Sequence, residues 1–261
     1  MKNIRFITRA DDLGSSYSAN QAIEQVIDAG FIKNVSIMAC GPAVEDAARR
    51  LAHRKDVCFG MHTTLNAEWD RVKWGPVLSP EKCKGLVDEQ GYFLSHPSMF
   101  GQTKPPVEQI MAEVDAQLER LHKLGFPVCY IDSHMFPEMH IEGLDEAMEA
   151  FAKRKGLIDH MYFYRIPHWG LNLCDAKNAD LLPQGQYLGI SHPSLDTEEM
   201  RLTGNASISG TLVAETRARE TALLSDKVYL DSLGVQSIRY SDASFERRLT
   251  VTDMIHIFSG K

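Results

Sequence analysis

Two adjacent carboxylates, Asp11 and Asp12, follow an apolar run in the string Arg9-Ala10-Asp11-Asp12-Leu13-Gly14. Neighbouring carboxylates repel one another, and folding has no use for the pair beyond an exposed turn with an N-cap aspartate. The alternative is a division of labour, in which one carboxylate ligates a metal and its neighbour faces the reacting centre. His62 closes the string Gly60-Met61-His62, and His134 closes Asp132-Ser133-His134. Arg165 lies in Tyr164-Arg165-Ile166-Pro167, and His192 lies in Ser191-His192-Pro193. Taken singly, each histidine reads as structural or surface, and Arg165 reads as one half of a surface ion pair. Taken together, two imidazoles and a carboxylate with positions left open form a catalytic divalent-metal site. Arg165 then becomes a fixed cation near that site, and His192 either a third imidazole ligand or a general acid.

Convergence of these groups depends on the elements that carry them. Runs of β-type residues are predicted as strands at 4–8, 34–39, 57–61, 128–131, 161–164, 187–190 and 235–239. Helical stripes alternate with them. One runs from Ala19 through Ala22, Ile23, Val26 and Ile27, with Ser15 or Ser16 as cap and Gly30 as terminator. Others are expected at 42–53, from Val107 to Leu121 with Gly125 as the stop, at 144–155 and at 213–224. Strands alternating with helices imply a parallel sheet joined by right-handed crossovers. In such a fold every strand ends on one face, so groups 50 and 72 residues apart from Asp12 to His62 to His134 meet. Five strand ends bearing polar, chemically competent groups favour a closed barrel with one site at its rim. The expectation is α/β: a single-domain distorted TIM-like (β/α) barrel over residues 1–261, with about seven parallel strands. The long connections 63–106 and 167–186 are expected to serve as lids or binding loops. Their tryptophans, Trp69, Trp74 and Trp169, are read either as platforms for sugar faces or as pins that hold the loops. Glu138 is expected to be solvated, His140 is ambiguous, and His53, His96, His122, His160 and His256 are read as structural or surface residues.

The chain has 261 residues, 28 basic and 35 acidic, so its net charge of −7 makes a poor partner for nucleic acid. Five scattered cysteines contain no C-x-x-C pair, which is the usage of a reducing compartment. Cys40, Cys58 and Cys129 read as small core residues. Arg5 and Arg9 interrupt the first apolar run, so neither a signal peptide nor an anchor is expected. No stretch approaches about 18 apolar residues, so no membrane partner is expected. The reading is a cytoplasmic protein with a small-molecule substrate and a possible homo-oligomeric state.

With these motifs assembled, the chain resembles the YdjC-like family of carbohydrate deacetylases. The family's N-A-D-D-F-G string is similar to residues 9–14, its G-x-H to residues 60–62, and its D-S-H to residues 132–134. Its R-x-P and C-H-P elements are similar to residues 165–167 and 191–193. The resemblance implies a distorted barrel, a small carbohydrate substrate, and a metal held by Asp12, His62 and His134. It further implies Asp11 as the base and places His192 near the leaving group. Two departures stand out. Arg9 replaces a small polar residue. The histidine-rich continuation after D-S-H is here Met135-Phe136-Pro137-Glu138-Met139-His140, which bears on the substrate because that loop borders the pocket.

The chemistry expected is removal of acetyl groups from N-acetylated sugars by a metal-activated water. Two imidazoles favour Zn²⁺ over the oxygen-seeking Mg²⁺, although the resemblance leaves Mg²⁺ open. The competing readings are a metal-dependent amidase or esterase on a non-sugar acyl group, a 2-His-1-carboxylate Fe(II) oxygenase, and a sugar-binding protein without turnover.

Overall fold

The computed structural model describes residues 3–259. The elements that carry the site open with β1 (Ile4–Leu13), α1 (Tyr17–Asp28), β2 (Asn34–Ile37), α2 (Val44–Leu51) and β3 (Cys58–Thr63). After a long connection come α3 (Phe100–Thr103), α4 (Val107–Lys123), β4 (Val128–Ser133), α5 (Leu144–Lys155) and β5 (Ile158–Asp159). The chain continues through β6 (Gly185–Ser191), α6 (Gly210–Ser225), α7 (Lys227–Ser232), β7 (Gln236–Ile238) and α8 (Val251–Ser259). Local chemistry sets the ends. Ser16 caps α1 by accepting from the Ala19 amide at 3.0 Å, and α5 stops at Gly156, whose φ is +69°. The apolar stripe of α1 (Ala19, Ala22, Ile23, Val26, Ile27) is buried against the sheet.

Among the described residues all pairings between these strands are parallel, in the order β5-β4-β3-β2-β1-β6, with β7 added to β1. Burial on both faces is what a parallel sheet covered by crossover helices requires. Strand β1 has two partners on one edge: β7 along Arg5–Ile7 and β2 from Arg9 onward. Asn34 joins them. Its Nδ2 donates to Thr8 O and Ile238 O at 3.0 Å each, and its Oδ1 accepts from the Tyr240 amide at 2.8 Å.

The sheet curls into a half-barrel, and among the described residues no ladder joins β5 to β6. Closure by strands, expected from the polar rim, is therefore not what the hydrogen bonding provides. The segment predicted as a strand at 161–164 is instead a 3₁₀ turn over His160–Phe163. Asp159 starts that turn by accepting from the Met161 amide at 2.9 Å. The aromatic residues that suggested a strand turn inward, with Phe163 against Tyr240 at 5.5 Å. Beyond the turn the chain lies along the free edge of β6, where Leu188 N donates to Arg165 O and Ile190 N to Leu171 O, at 2.8 and 2.7 Å.

The long connection after β3 is fastened to α4 by two buried side chains. Gln117 bonds both Thr64 N and Thr64 O, at 3.1 and 2.7 Å, and the Glu113 carboxylate accepts from the Val77 and Leu78 amides at 2.8 and 2.9 Å. All five cysteines are free. Cys40 and Cys58 are buried as expected, whereas Cys129 is only half-buried. No described helix is long and apolar enough to cross a membrane.

Candidate active site

A bulge in β1 sets the two carboxylates apart. Ala10 pairs with Val35 and Leu13 with Ile37, so three steps of β1 oppose two of β2. The extra residue is taken up at Asp12, whose φ of +67° lies in the left-handed region that few non-glycine residues adopt. A flat strand would send Asp11 and Asp12 to opposite faces; here both reach the C-terminal face.

Asp12, His62 and His134 meet there, all buried. Asp12 Oδ1 lies 3.6 Å from both His62 Nε2 and His134 Nδ1, and those two nitrogens are 3.2 Å apart. The other nitrogen of each imidazole is committed elsewhere. Asp132 Oδ1 lies 2.6 Å from His62 Nδ1, and Glu68 Oε2 lies 2.9 Å from His134 Nε2. Each carboxylate accepts its imidazole's proton and fixes the tautomer. Three atoms able to ligate a metal therefore face one another, and Asp12 Oδ1 is buried without a hydrogen-bond partner. Ligands held tetrahedrally by a zinc-sized ion are separated by about 3.3 Å, from metal–ligand distances near 2.0–2.1 Å. The donor set fits such an ion. It includes neither His192 nor any third imidazole.

Electrostatics reinforce the trio. Burial would raise the Asp12 pKa, but Arg217 at 2.9 Å from Oδ2, together with His192, His134 and His62, holds it far below the usual carboxylate range. Burial lowers the pKa of His134, yet Glu68 and Asp12 outweigh it and push the imidazole up to about 9.

Asp11 is held separately. Arg9, buried beneath the site, donates Nε to its Oδ1 at 2.6 Å and Nη2 to its Oδ2 at 2.7 Å. Arg9 Nη1 also reaches Asp132 Oδ2 at 2.8 Å. Asp11, His62 and Asp132 form a second close group, but the guanidinium already supplies the positive charge those carboxylates need. Tyr130 completes the base of the network through Ser36, whose hydroxyl donates to Asp132 Oδ2 at 2.5 Å and lies 2.9 Å from the Tyr130 hydroxyl. Gly60 makes room for that tyrosine. A Cβ at Gly60 would lie 2.1 Å from the Tyr130 ring, which explains the glycine in Gly-Met-His.

His192 lines the same cleft, and its amide donates to Glu220 Oε2 at 2.6 Å. Glu220 is itself buried, which raises its pKa against the pull of His192 and Arg217. Arg165 is not part of the cluster. It is exposed, beside Gly185 at the start of β6, with its guanidinium 4.8 Å above the Tyr187 ring. His192 follows the opposite end of that strand. The 3₁₀ turn in place of a strand removed Arg165 from the catalytic face, and the arginine that faces Asp12 is Arg217 of α6.

The tryptophans divide. Trp69 lines the cleft. Trp74 is buried, donating Nε1 to Asn66 O at 2.7 Å, and Trp169 stacks on Phe6, so both hold their loops. Glu138, expected in solvent, instead accepts a hydrogen bond from the Ser133 hydroxyl, and burial pushes its pKa up to about 7. His140 is exposed beside His96. Four residues at the site, Asp132, Glu68, Arg217 and Glu220, have no role among the sequence-based expectations. Asp132 was readable, because alternation places it on the same strand face as His134. The other three carry no local signal.

Fold and site together define an α/β protein with a buried two-histidine, one-carboxylate centre at the strand ends. Residues 5–182 match the family model for YdjC-like proteins. The chain belongs to that family. It is 31% identical over 144 residues to a carbohydrate deacetylase of Thermoanaerobacter pseudethanolicus, covering 55% of each chain. The match thus spans about half the length of that relative. It is 30% identical over 250 residues to a carbohydrate deacetylase of Geobacillus stearothermophilus, covering 90% of this chain and 96% of that one. A solved Enterococcus faecalis protein named for cellobiose-phosphate cleavage shares the fold. Its TM-score is 0.73 at 20% identity, over 92% of this chain and 98% of the other.

Proposed function

We propose that the protein is a metal-dependent carbohydrate deacetylase that hydrolyses the acetamide of an N-acetylated sugar to acetate and a free amine. The observation that carries this reading is the convergence of Asp12 Oδ1, His62 Nε2 and His134 Nδ1 within 3.6 Å of one another, with Asp12 Oδ1 buried and lacking a hydrogen-bond partner. These three residues would hold one divalent ion, with Zn²⁺ favoured by the two imidazoles and Mg²⁺ the alternative. When bound, such an ion supplies Lewis-acid polarisation of the acyl carbonyl and acidifies water.

The chain's own residues do the rest. Asp11 accepts the proton of the attacking water, held in one orientation by the Arg9 fork. Each Asp11 oxygen keeps a second lone pair beyond the one Arg9 occupies. His192, with its backbone fixed by Glu220, protonates the departing amine. Arg217 anchors Asp12 from the side away from the imidazoles. Arg165 takes no part. Acetate release from N-acetylated mono- and oligosaccharides, measured together with metal content, tests the reading. Oxygen consumption with iron and no acetate would replace it with an oxygenase.

A further inference from the structure

The cleft above the centre has a volume of about 830 Å³, far more than an acetamide needs. Its floor is the polar cluster described above. Its walls are different in character. Trp69, Met135, Phe136, Leu171, Ile208 and Leu223 line them, drawn from the connection after β3, the loop after β4, the edge segment along β6, the approach to α6, and α6 itself. Asn172, Thr216 and Arg219 also line the cleft, but the six apolar side chains themselves, apart from the Trp69 indole N–H, offer nothing to hydrogen-bond a sugar hydroxyl. The Met135 sulfur is already engaged by Asn66 Nδ2 at 3.0 Å.

Two of these residues are held there against their backbone preference. Met135 and Phe136 follow the ligand His134 directly and have φ of +57° and +50°. Consecutive bulky residues in the left-handed region are unfavourable, and such strain persists where the surrounding structure enforces it, often at functional sites. Here it places two apolar side chains in the cleft beside the reacting centre. An oligosaccharide exposes hydroxyls along its length, and those lying on the apolar part of the wall would find no protein partner.

We propose that the substrate is an acylated amino sugar carrying a hydrocarbon group, which the apolar wall receives while the amide lies over Asp12, His62 and His134. This rests on the deacetylase reading and names its substrate class. The hydrocarbon has two sources, an alkyl aglycone or a long N-acyl chain, and these are separable.

The test compares three probes on the metal-loaded protein: di-N-acetylchitobiose, hexyl N-acetylglucosaminide and N-hexanoylglucosamine. Binding is followed by tryptophan fluorescence and turnover by release of the acid. One hexyl-bearing probe is expected to bind and turn over about tenfold better than chitobiose, and whichever does so identifies the source. Leu223→Asn and Ile208→Asn, two independent wall changes, should each reduce that preference several-fold. Chitobiose binding as well as or better than both hexyl probes would overturn the inference, whether or not acid is released. Tighter hexyl binding with no acid released from any probe would uphold the apolar site and remove the deacetylase reading.

Discussion

The Arg9 guanidinium grips both oxygens of Asp11, Nε on Oδ1 at 2.6 Å and Nη2 on Oδ2 at 2.7 Å, entirely within the protein. The same side chain reaches Asp132, which orients His62. One buried cation therefore links the proposed base to the proposed metal centre. Arg9→Met would leave two carboxylates buried without it, and breaking such a pair costs about 3–5 kcal/mol. Arg9→Lys keeps the charge but not the planar fork. Thermal unfolding should show a large loss for Arg9→Met and a smaller one for Arg9→Lys, whose turnover falls more than its stability.

Equal substitutions at the two aspartates should have unequal consequences. Asp12→Asn removes a ligand charge and the partner of Arg217, so metal affinity and turnover both fall. Asp11→Asn keeps the shape but removes the base, so metal stays while turnover drops by about 10²–10⁴-fold. Metal content and acetate release on both variants check this. The reverse pattern would exchange the roles.

His192→Ala should lower turnover by about 10²–10⁴-fold with metal content unchanged, because the imidazole lies outside the ligand trio. Loss of the metal in this variant would make His192 a ligand instead.

Glu68 stands behind His134 as Asp132 stands behind His62. Glu68→Gln should weaken metal binding by about 10–100-fold, the usual effect of removing a partner behind a ligand. Metal titration by calorimetry measures it, and an unchanged affinity would make the contact incidental.

His160 predicts an acid limb in stability. Burial first, then Arg9, pushes its pKa down to about 4 despite Asp132 and Asp159, and its Nδ1 has no partner. A base whose folded pKa is depressed stabilises the fold above its unfolded pKa of about 6.5, and that contribution is lost as pH falls through 4. The full difference is about 3 kcal/mol. Unfolding followed from pH 7 to pH 4 should show His160→Gln losing less stability than the wild type.

The legible part of this molecule is the part written locally. The helix expected at 144–155 is α5, Leu144–Lys155, and strand ends bring Asp12, His62 and His134 to one face. The run 161–164 misled because β-forming aromatics there pack inward from a turn that Asp159 caps, and Arg165 moved with it. Arg217, Glu220 and Glu68 reach the site from a helix and a loop through contacts with distant residues, and no local pattern encodes such pairings. The bulge that splays Asp11 from Asp12 depends likewise on the register with β2.

The central claim is tested most directly by acetate release from N-acetylated sugars before and after the metal is removed with a chelator. Activity should disappear in the metal-free protein and return on addition of one equivalent of Zn²⁺ per chain. His62→Ala and His134→Ala should stay inactive under the same addition. Undiminished acetate release from the metal-free protein, or full activity in both histidine variants, would contradict the account.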